Sequence, residues 1–524
     1  MPDLLYPRLA TLTLTLLGLL LITPSTRAQS TDGPRLGINL NGPADWNTEL
    51  PFVDVFRMSR PWISQREGAD WGQGPELSLD DSGYPTHLED GCYAETPLVT
   101  INGGHYPTGQ YTVLYDGIGE MRFANAEVVA SEPGRIVVEP GGHRGFRLQL
   151  RATDPDDPVT NIRVVMPGFE DSFEDDPWRP AFLDRWRGTA VIRFMDFMHT
   201  NNSHVATWDD RPRMTDATFS RQGVALELMV DLANRIDVDP WFCMPHLADD
   251  AYIRQFAQYV AGHLDPELKV YIEYSNEVWN GQFEQSRYAQ RQGMALGLAD
   301  NPNMAKLRFT ARRSVEMFNI WRDAFGGTDR LVRVLPSQSA NPWTAQQILS
   351  FEDAHEHADA LAIAPYFGMN VPRDEADAVV AGGLDGVLDR LAGPSMERTV
   401  EHIRENAALA EQYGLDLHAY EAGQHAVGIR GGENHDAMTE LFHEANASER
   451  MGELYRDYFA AWEDAGGDVM VVFSSIGRWS KWGSWGLMEY HDLDPMTQPK
   501  MRAFIEQAQA WGQPVEPVRV GAGE

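Results

Sequence analysis

Two short segments carry residue types and spacing suited to chemistry. The run Val270-Tyr-Ile-Glu-Tyr-Ser-Asn-Glu-Val-Trp-Asn280 passes from β-forming residues into Asn276-Glu277 and Trp279-Asn280. The run Leu417-His-Ala-Tyr-Glu-Ala-Gly-Gln-His425 ends in the same way at Glu421, 144 residues after Glu277. Two carboxyl groups across a cleft suit cleavage of a glycosidic bond. One protonates the leaving oxygen while the other attacks the anomeric carbon, and a gap of about 5–5.5 Å leaves no room for an intervening water. An ionised Glu421 would raise the pKa of Glu277 and keep it protonated as an acid. Once bond formation neutralises Glu421, Glu277 can act as the base.

Both segments need a scaffold that ends strands at one face. Hydrophobic segments and helical patterns alternate along the chain in a βα rhythm. Strands are expected at 35–40, 189–195, 240–245, 268–275, 330–335, 360–365, 415–420 and 468–474. Helices are expected at 224–235, 250–263, 308–325, 399–413 and 448–465. Eight such repeats predict a closed (β/α)₈ TIM barrel, in which residues just past each strand form the active face. Strands four and seven then deliver Glu277 and Glu421 to one mouth. The rhythm breaks between the first two strands, where short alternating strands at 111–115, 121–123, 135–139, 146–151 and 161–165 are separated by turn signals such as Asp116-Gly117. The expected organisation is a leader over 1–28, the start of the barrel over 29–70, an inserted antiparallel β domain over 71–165, the rest of the barrel over 166–512 and a tail over 513–524. The competing arrangement is a separate N-terminal β domain that claims 35–40.

Asn-Glu ending strand four and a lone Glu ending strand seven resemble the clan A retaining glycoside hydrolases. The resemblance covers roughly residues 35–64 and 166–510 and leaves the insertion unexplained. It implies Glu277 as acid/base, Glu421 as nucleophile and Asn276 on the sugar hydroxyl beside the reacting carbon. It also implies Tyr366, in Ala364-Pro365-Tyr366-Phe367, steadying the nucleophile, and a Trp after strand eight under the catalytic sugar. Trp479, Trp482 and Trp485 compete for that place, with Trp482 favoured. A β-linked polysaccharide or oligosaccharide, with β-glucan or cellulose as the first guess, is the implied substrate, and no cofactor is implied. A non-catalytic carbohydrate-binding protein and a transglycosylase on the same barrel are the alternatives.

The remaining polar and aromatic candidates each have a structural reading as well. Glu273 shares the facing of Glu277 and is expected lower in the barrel, paired to Arg193 or Arg333. Arg193 and Asp196 end strand two, where one of them orients the nucleophile or the sugar. His246 ends strand three and either binds a sugar hydroxyl or is a satisfied core histidine. Trp279 and Trp208 are expected as additional sugar-stacking platforms. The Asp-rich loops at 80–81 and 154–157 lack a glycine-centred calcium loop and read as solvated turns.

Composition narrows the classes further. The 524 residues hold 43 Lys+Arg against 77 Asp+Glu, a formal net charge of −34, which disfavours nucleic acid and anionic membranes as partners. It also argues against a sulfated or uronic polymer, unless Arg193, Arg211 and Arg213 concentrate positive charge in the cleft. A 43% hydrophobic content supports a full core, and two cysteines, Cys92 and Cys243, exclude a disulfide scaffold. Arg8, the run 9–22 and Thr26-Arg27-Ala28 read as a secretory leader cleaved near Ala28, giving a secreted or periplasmic protein with no membrane attachment afterwards. An uncleaved anchor is the alternative, for which the run is short. No H-E-x-x-H, G-x-S-x-G or P-loop pattern occurs.

Overall fold

The structure, a computed structural model, describes residues 33–521. The leader expected over 1–28 and the last residues of the tail lie outside them.

Eight parallel strands close into a barrel: Arg35–Asn39, Val191–Arg193, Asp239–Met244, Val270–Tyr274, Leu331–Pro336, Ala360–Ile363, Asp416–Ala419 and Val469–Val472, called strands one to eight below. Each overlaps the segment expected from sequence. Strand one pairs with strand two through Ile38 opposite Ile192 and with strand eight through Gly37 opposite Val471, so it is a stave of the barrel and not part of a separate β domain. Gly37 is needed there, because a Cβ would stand 2.7 Å from the Val191 carbonyl oxygen.

Covered on both faces, these strands can be apolar along their length. Alternate side chains divide between two cores. Val191, Trp241, Cys243, Tyr271, Val334, Ala362, Val469 and Val471 fill the barrel interior. Ile38, Ile192, Phe242, Ile272, Leu361, Leu417 and Met470 face the helices. The helices Asp250–His263 and Glu449–Asp464 lie where the apolar spacing puts them. The helix expected from 308 starts earlier, at Pro302, because Asn301 caps it by accepting from the Met304 amide at 3.0 Å. Among the described residues no helix is long and apolar enough to cross a membrane.

Between strands one and two the chain forms two four-stranded sheets. One orders Ile63–Arg66, Cys92–Val99, Phe146–Thr153 and Gly119–Ala124; the other orders Thr160–Val165, Tyr111–Asp116, Arg135–Pro140 and Ala126–Glu132. Ile63–Arg66 falls in the stretch expected to begin the barrel, yet it pairs antiparallel with Cys92–Val99 as the edge of the first sheet. Asp54 ties the second sheet to the strand-one connection by accepting from the Val164 amide at 2.7 Å and the Phe56 amide at 3.0 Å.

A further parallel pair, Phe367–Pro372 with Gln424–Ile429, extends the chain beyond strands six and seven and forms part of the cleft wall. Sequence periodicity gave no sign of it. Cys92 and Cys243 are both buried free thiols.

Candidate active site

The mouth of the barrel is organised around Arg193, the last residue of strand two, whose side chain is fully buried. Its Nη1 donates to Glu421 Oε1 and to Asn39 Oδ1, both at 3.1 Å. Its Nη2 donates to Glu273 Oε2 at 2.9 Å and to Asn276 Oδ1 at 2.8 Å, and its Nε donates to Glu273 Oε2 at 3.1 Å. The Trp241 and Tyr420 rings lie 5.6 and 5.1 Å from the guanidinium carbon. One cation thus binds strand ends one, two, four and seven together, and a desolvated guanidinium is tolerable only because so many oxygens receive it. Arg193 was expected among the sugar contacts; with its donors spent on protein, it is a positioning residue instead.

Glu273 fills its expected structural place and takes Arg193 as partner, also accepting from Trp241 Nε1 at 2.8 Å. Arg333, the other expected partner, pairs with Asp359 at 2.8 Å.

The two glutamates at the mouth meet different surroundings. Glu421 is buried; its Oε1 accepts from Arg193 and its Oε2 from the Tyr366 hydroxyl, each at 3.1 Å. Burial raises its carboxyl above the ordinary carboxylate range, against the opposing pull of Arg193 and the Tyr366 hydrogen bond. Glu277 is half-buried along a cavity and accepts from Asn280 Nδ2 at 2.9 Å. Burial first, and then the charge of Glu421, pushes Glu277 up to about 8. The sequence reading named only the like charge; desolvation is the larger cause.

The backbone after strand four is unusual as well. Ser275 has φ +60° and Glu277 φ +42°, a left-handed conformation that costs a non-glycine residue energy and that clusters at functional sites.

Neighbouring side chains fix the pair. Asn276 Nδ2 donates to Asn201 Oδ1 at 3.1 Å, and Gln285 Nε2 donates to both Asn201 Oδ1 and the Asn276 carbonyl. Trp279 Nε1 donates to the Tyr420 hydroxyl at 3.1 Å, which holds the indole in the wall of the cavity beside Glu277. Tyr366 lines the same cavity.

Other expected contacts lie elsewhere. Trp482 is 61% exposed and lines a second cavity, because Ser480 and Gly483 exchange two backbone hydrogen bonds at 3.0 Å and put it on the tip of a two-residue turn. The rings beside Tyr366 are His425 and Phe473, centroids 5.4 and 6.5 Å away, and Trp485 lies 5.8 Å from each of these two. His246 is buried edge-on against Tyr288, lines neither cavity and keeps an Nδ1 without a hydrogen-bond partner; burial pushes it down to about 4. Trp208 is covered by Arg211, 4.2 Å from its ring, and by Tyr252, and lines neither cavity. Asp196 lines the second cavity, with burial and Glu421 pushing it up to about 7.

The sequence reading missed Asn39, Asn201 and Gln285. Asn39 obeys the strand-end rule applied to Glu277 and was within reach of it; the other two sit on loops and a helix with no such marker.

The first cavity has a volume of about 460 Å³ and the second about 640 Å³. Loops after strands four to seven line the first, and loops after strands one, two and eight line the second. Among the described residues, Asp416, His418 and Asp468 bring ligand-type atoms within 4.8 Å of one another, at the opposite end of the barrel. Arg35 already places a positive charge 3.3 Å from Asp468 there.

The chain is therefore a (β/α)₈-barrel protein with a carboxyl pair at the C-terminal ends of strands four and seven. No family model matches it, and no curated protein matches it. Among solved structures it is similar to an arabinofuranosidase from Xanthomonas axonopodis pv. citri, at 13% identity over 57% of this chain and 61% of that one, with a TM-score of 0.35. It is also similar to an endo-β-1,4-mannanase from Cellulomonas fimi, at 11% identity over 63% and 73% of the two chains, TM-score 0.35. A third is a hyperthermostable endo-1,4-β-D-mannanase from Thermotoga petrophila, at 11% identity over 63% and 94%, TM-score 0.35. The chain spans about three fifths of the arabinofuranosidase.

Proposed function

We propose that this chain is a retaining glycoside hydrolase acting on a β-linked polysaccharide or oligosaccharide, exported after cleavage of its leader near Ala28. The observation that carries the reading is the contrast within one carboxyl pair. Burial pushes both carboxyls up, but Glu421 receives hydrogen bonds from a guanidinium and a phenol, which oppose that push and favour its ionised form, while Glu277, beside the charge of Glu421, rises to about 8 and favours the protonated form.

In this reading Glu421 attacks the anomeric carbon as Glu277 gives its proton to the departing oxygen. The glycosyl ester that forms removes the charge of Glu421. That lowers the proton affinity of Glu277, which then takes a proton from the incoming water; attack by this water releases the sugar and restores both groups. Tyr366 and Arg193 keep the Glu421 oxygens aimed, and Trp279 offers an indole face to a sugar. Retention, and not inversion, follows because the anomeric carbon is inverted twice, first by Glu421 and then by water.

The test is hydrolysis of a panel of β-linked polysaccharides and aryl glycosides, with the anomer of the first product read by NMR. A retained anomer, with activity lost in both Glu277→Gln and Glu421→Gln, supports the reading. An inverted product contradicts double displacement, and saturable binding without turnover assigns the chain to carbohydrate-binding proteins. N-terminal sequencing of the exported protein checks cleavage after Ala28.

A further inference from the structure

The wall of the cavity beside Glu277 carries an imbalance of charge. Its only acidic lining residue is Glu277, whose raised pKa favours the neutral form. The exposed Arg398 and the half-buried His402 line it too, four residues apart on the helix Met396–Tyr413 and hence on one face of it. Among the described residues no carboxylate bonds Arg398 or the ring of His402, although Glu401 stands three residues beyond Arg398 in the same helix.

Elsewhere many arginines of this acidic chain are covered by carboxylates, although among the described residues others, such as Arg254, Arg291 and Arg404, are not. Arg312 pairs with Glu352, Arg313 with Asp250, Arg450 with Asp389 and Arg502 with Glu449. In the second cavity Arg60 is held by Asp45 at 2.8 Å and Asp196 lines the same space, so acid accompanies its arginines Arg60 and Arg478 there. The cavity beside Glu277 thus joins Arg398, which no carboxylate holds, to a lining whose one acidic residue is Glu277.

A second observation points to a ligand. Ser339, 6% exposed, lines this cavity, and its buried hydroxyl has no hydrogen-bond partner. A buried donor left unmade costs about 1–3 kcal/mol, which a bound oxygen would recover. Asn370 and Gln338 add neutral amides to the same wall.

We propose that this cavity takes the leaving-group side of the substrate and that the sugar held there carries an anionic substituent, a carboxylate or a sulfate ester, received by Arg398 and His402. The inference rests on the glycosidase reading for the direction of the cleft, since the proton donor lines this cavity. It reverses the expectation drawn from net charge. The three arginines on which a cationic cleft would have depended do not supply it: Arg193 is spent on Glu421 and Glu273, Arg211 covers Trp208, and Arg213 lies 3.7 Å from Asp209. A locally uncovered cation in a chain of net charge −34 acts at short range, after the overall field has disfavoured anions that do not fit.

The experiment uses matched oligosaccharides: a glucuronate-bearing β-linked oligosaccharide and its carboxyl-reduced form, and a sulfated galactan oligosaccharide and its desulfated form. kcat/KM is measured for each at low salt with wild type, Arg398→Gln, Arg398→Lys and His402→Gln. The expected result is a preference of about tenfold or more for one charged member over its neutral match, an interaction worth about 1.4 kcal/mol. Arg398→Gln should abolish the preference chiefly through KM, and Arg398→Lys should keep part of it. The pair that shows the effect tells carboxylate from sulfate. Turnover with no preference for either charged member, or a preference that survives Arg398→Gln, overturns this inference while leaving the glycosidase reading intact. If no member is hydrolysed, calorimetric binding of the same four compounds decides. Tighter binding of a charged member, lost in Arg398→Gln, supports the anion site, and equal binding overturns it.

Discussion

Strands four and seven end at the same mouth, yet they treat their glutamates in opposite ways. Strand seven delivers Glu421 into a buried setting where Arg193 and Tyr366 both donate to it. Strand four delivers Glu277 through a turn with positive φ at Ser275 and Glu277, to the edge of a cavity where Asn280 is its hydrogen-bond partner. Strand four also holds a third carboxyl, Glu273, beneath the mouth, and Arg193 bridges it to Glu421. Identical side chains on equivalent strand ends thus meet different donors, although burial pushes both carboxyls up. In the proposed mechanism the count and charge of hydrogen-bond donors separate the acid from the nucleophile, and a substitution that evens out the donors should blur the two roles.

The largest effect should come from removing the strand-seven side of the contrast. Glu421→Ala is expected to lose about 10⁴-fold or more in kcat, as for a nucleophile whose covalent step has no substitute. Added azide should restore turnover and give a glycosyl azide of inverted anomer, read by NMR. Next is the strand-four side: Glu277→Gln should lose about 10²–10⁴-fold on substrates with poor leaving groups. It should lose far less on activated aryl glycosides in the first, glycosylation step. In wild type the alkaline limb of kcat/KM should fall near pH 8, where Glu277 gives up its proton, and Glu277→Gln should lack that limb.

Two smaller changes sharpen the contrast. Tyr366→Phe removes a hydrogen bond to a charged acceptor, worth about 1.5–3 kcal/mol, so a loss of about ten- to hundredfold is expected. Because that bond pulls Glu421 down, the acidic limb should move to higher pH in the variant, which a merely structural tyrosine would not do. The least effect concerns stability. Glu277 binds its proton more tightly folded, at about 8, than in an unfolded chain, where an ordinary glutamate titrates near 4.5. Its contribution is therefore fully present below about 4.5 and is lost as pH rises through about 8. Melting temperature should drop more between pH 5 and pH 9 in wild type than in Glu277→Gln.

How much of this was legible in the sequence follows from where the information is local. The eight barrel strands were readable because a stave covered on both faces needs a continuous apolar run, and the helices that cover them keep an amphipathic spacing. Glu277 and Glu421 were readable because polar residues crowd the end of each run. Cys92–Val99 was missed because Pro97 reads as a strand breaker, although the strand is central in its sheet. Ala126–Glu132 was missed because it is an exposed edge strand with no clean alternation. The choice among Trp479, Trp482 and Trp485 depended on the Ser480–Gly483 turn, which turns one indole outward and leaves Trp485 beside Phe473. The unpaired state of Arg398 could not be read at all, since Glu401 lies at helical spacing from it and only the folded side chains reveal that the two do not join.

The most direct test of the central claim is to trap the glycosyl-enzyme with a 2-deoxy-2-fluoro glycoside of the sugar found in the substrate panel, and to locate it by peptide mass spectrometry. The account predicts a stoichiometric adduct on Glu421, formed in wild type and absent from Glu421→Gln. An adduct on Glu277 or Glu273, or turnover of the natural substrate with inversion and no adduct, would contradict it.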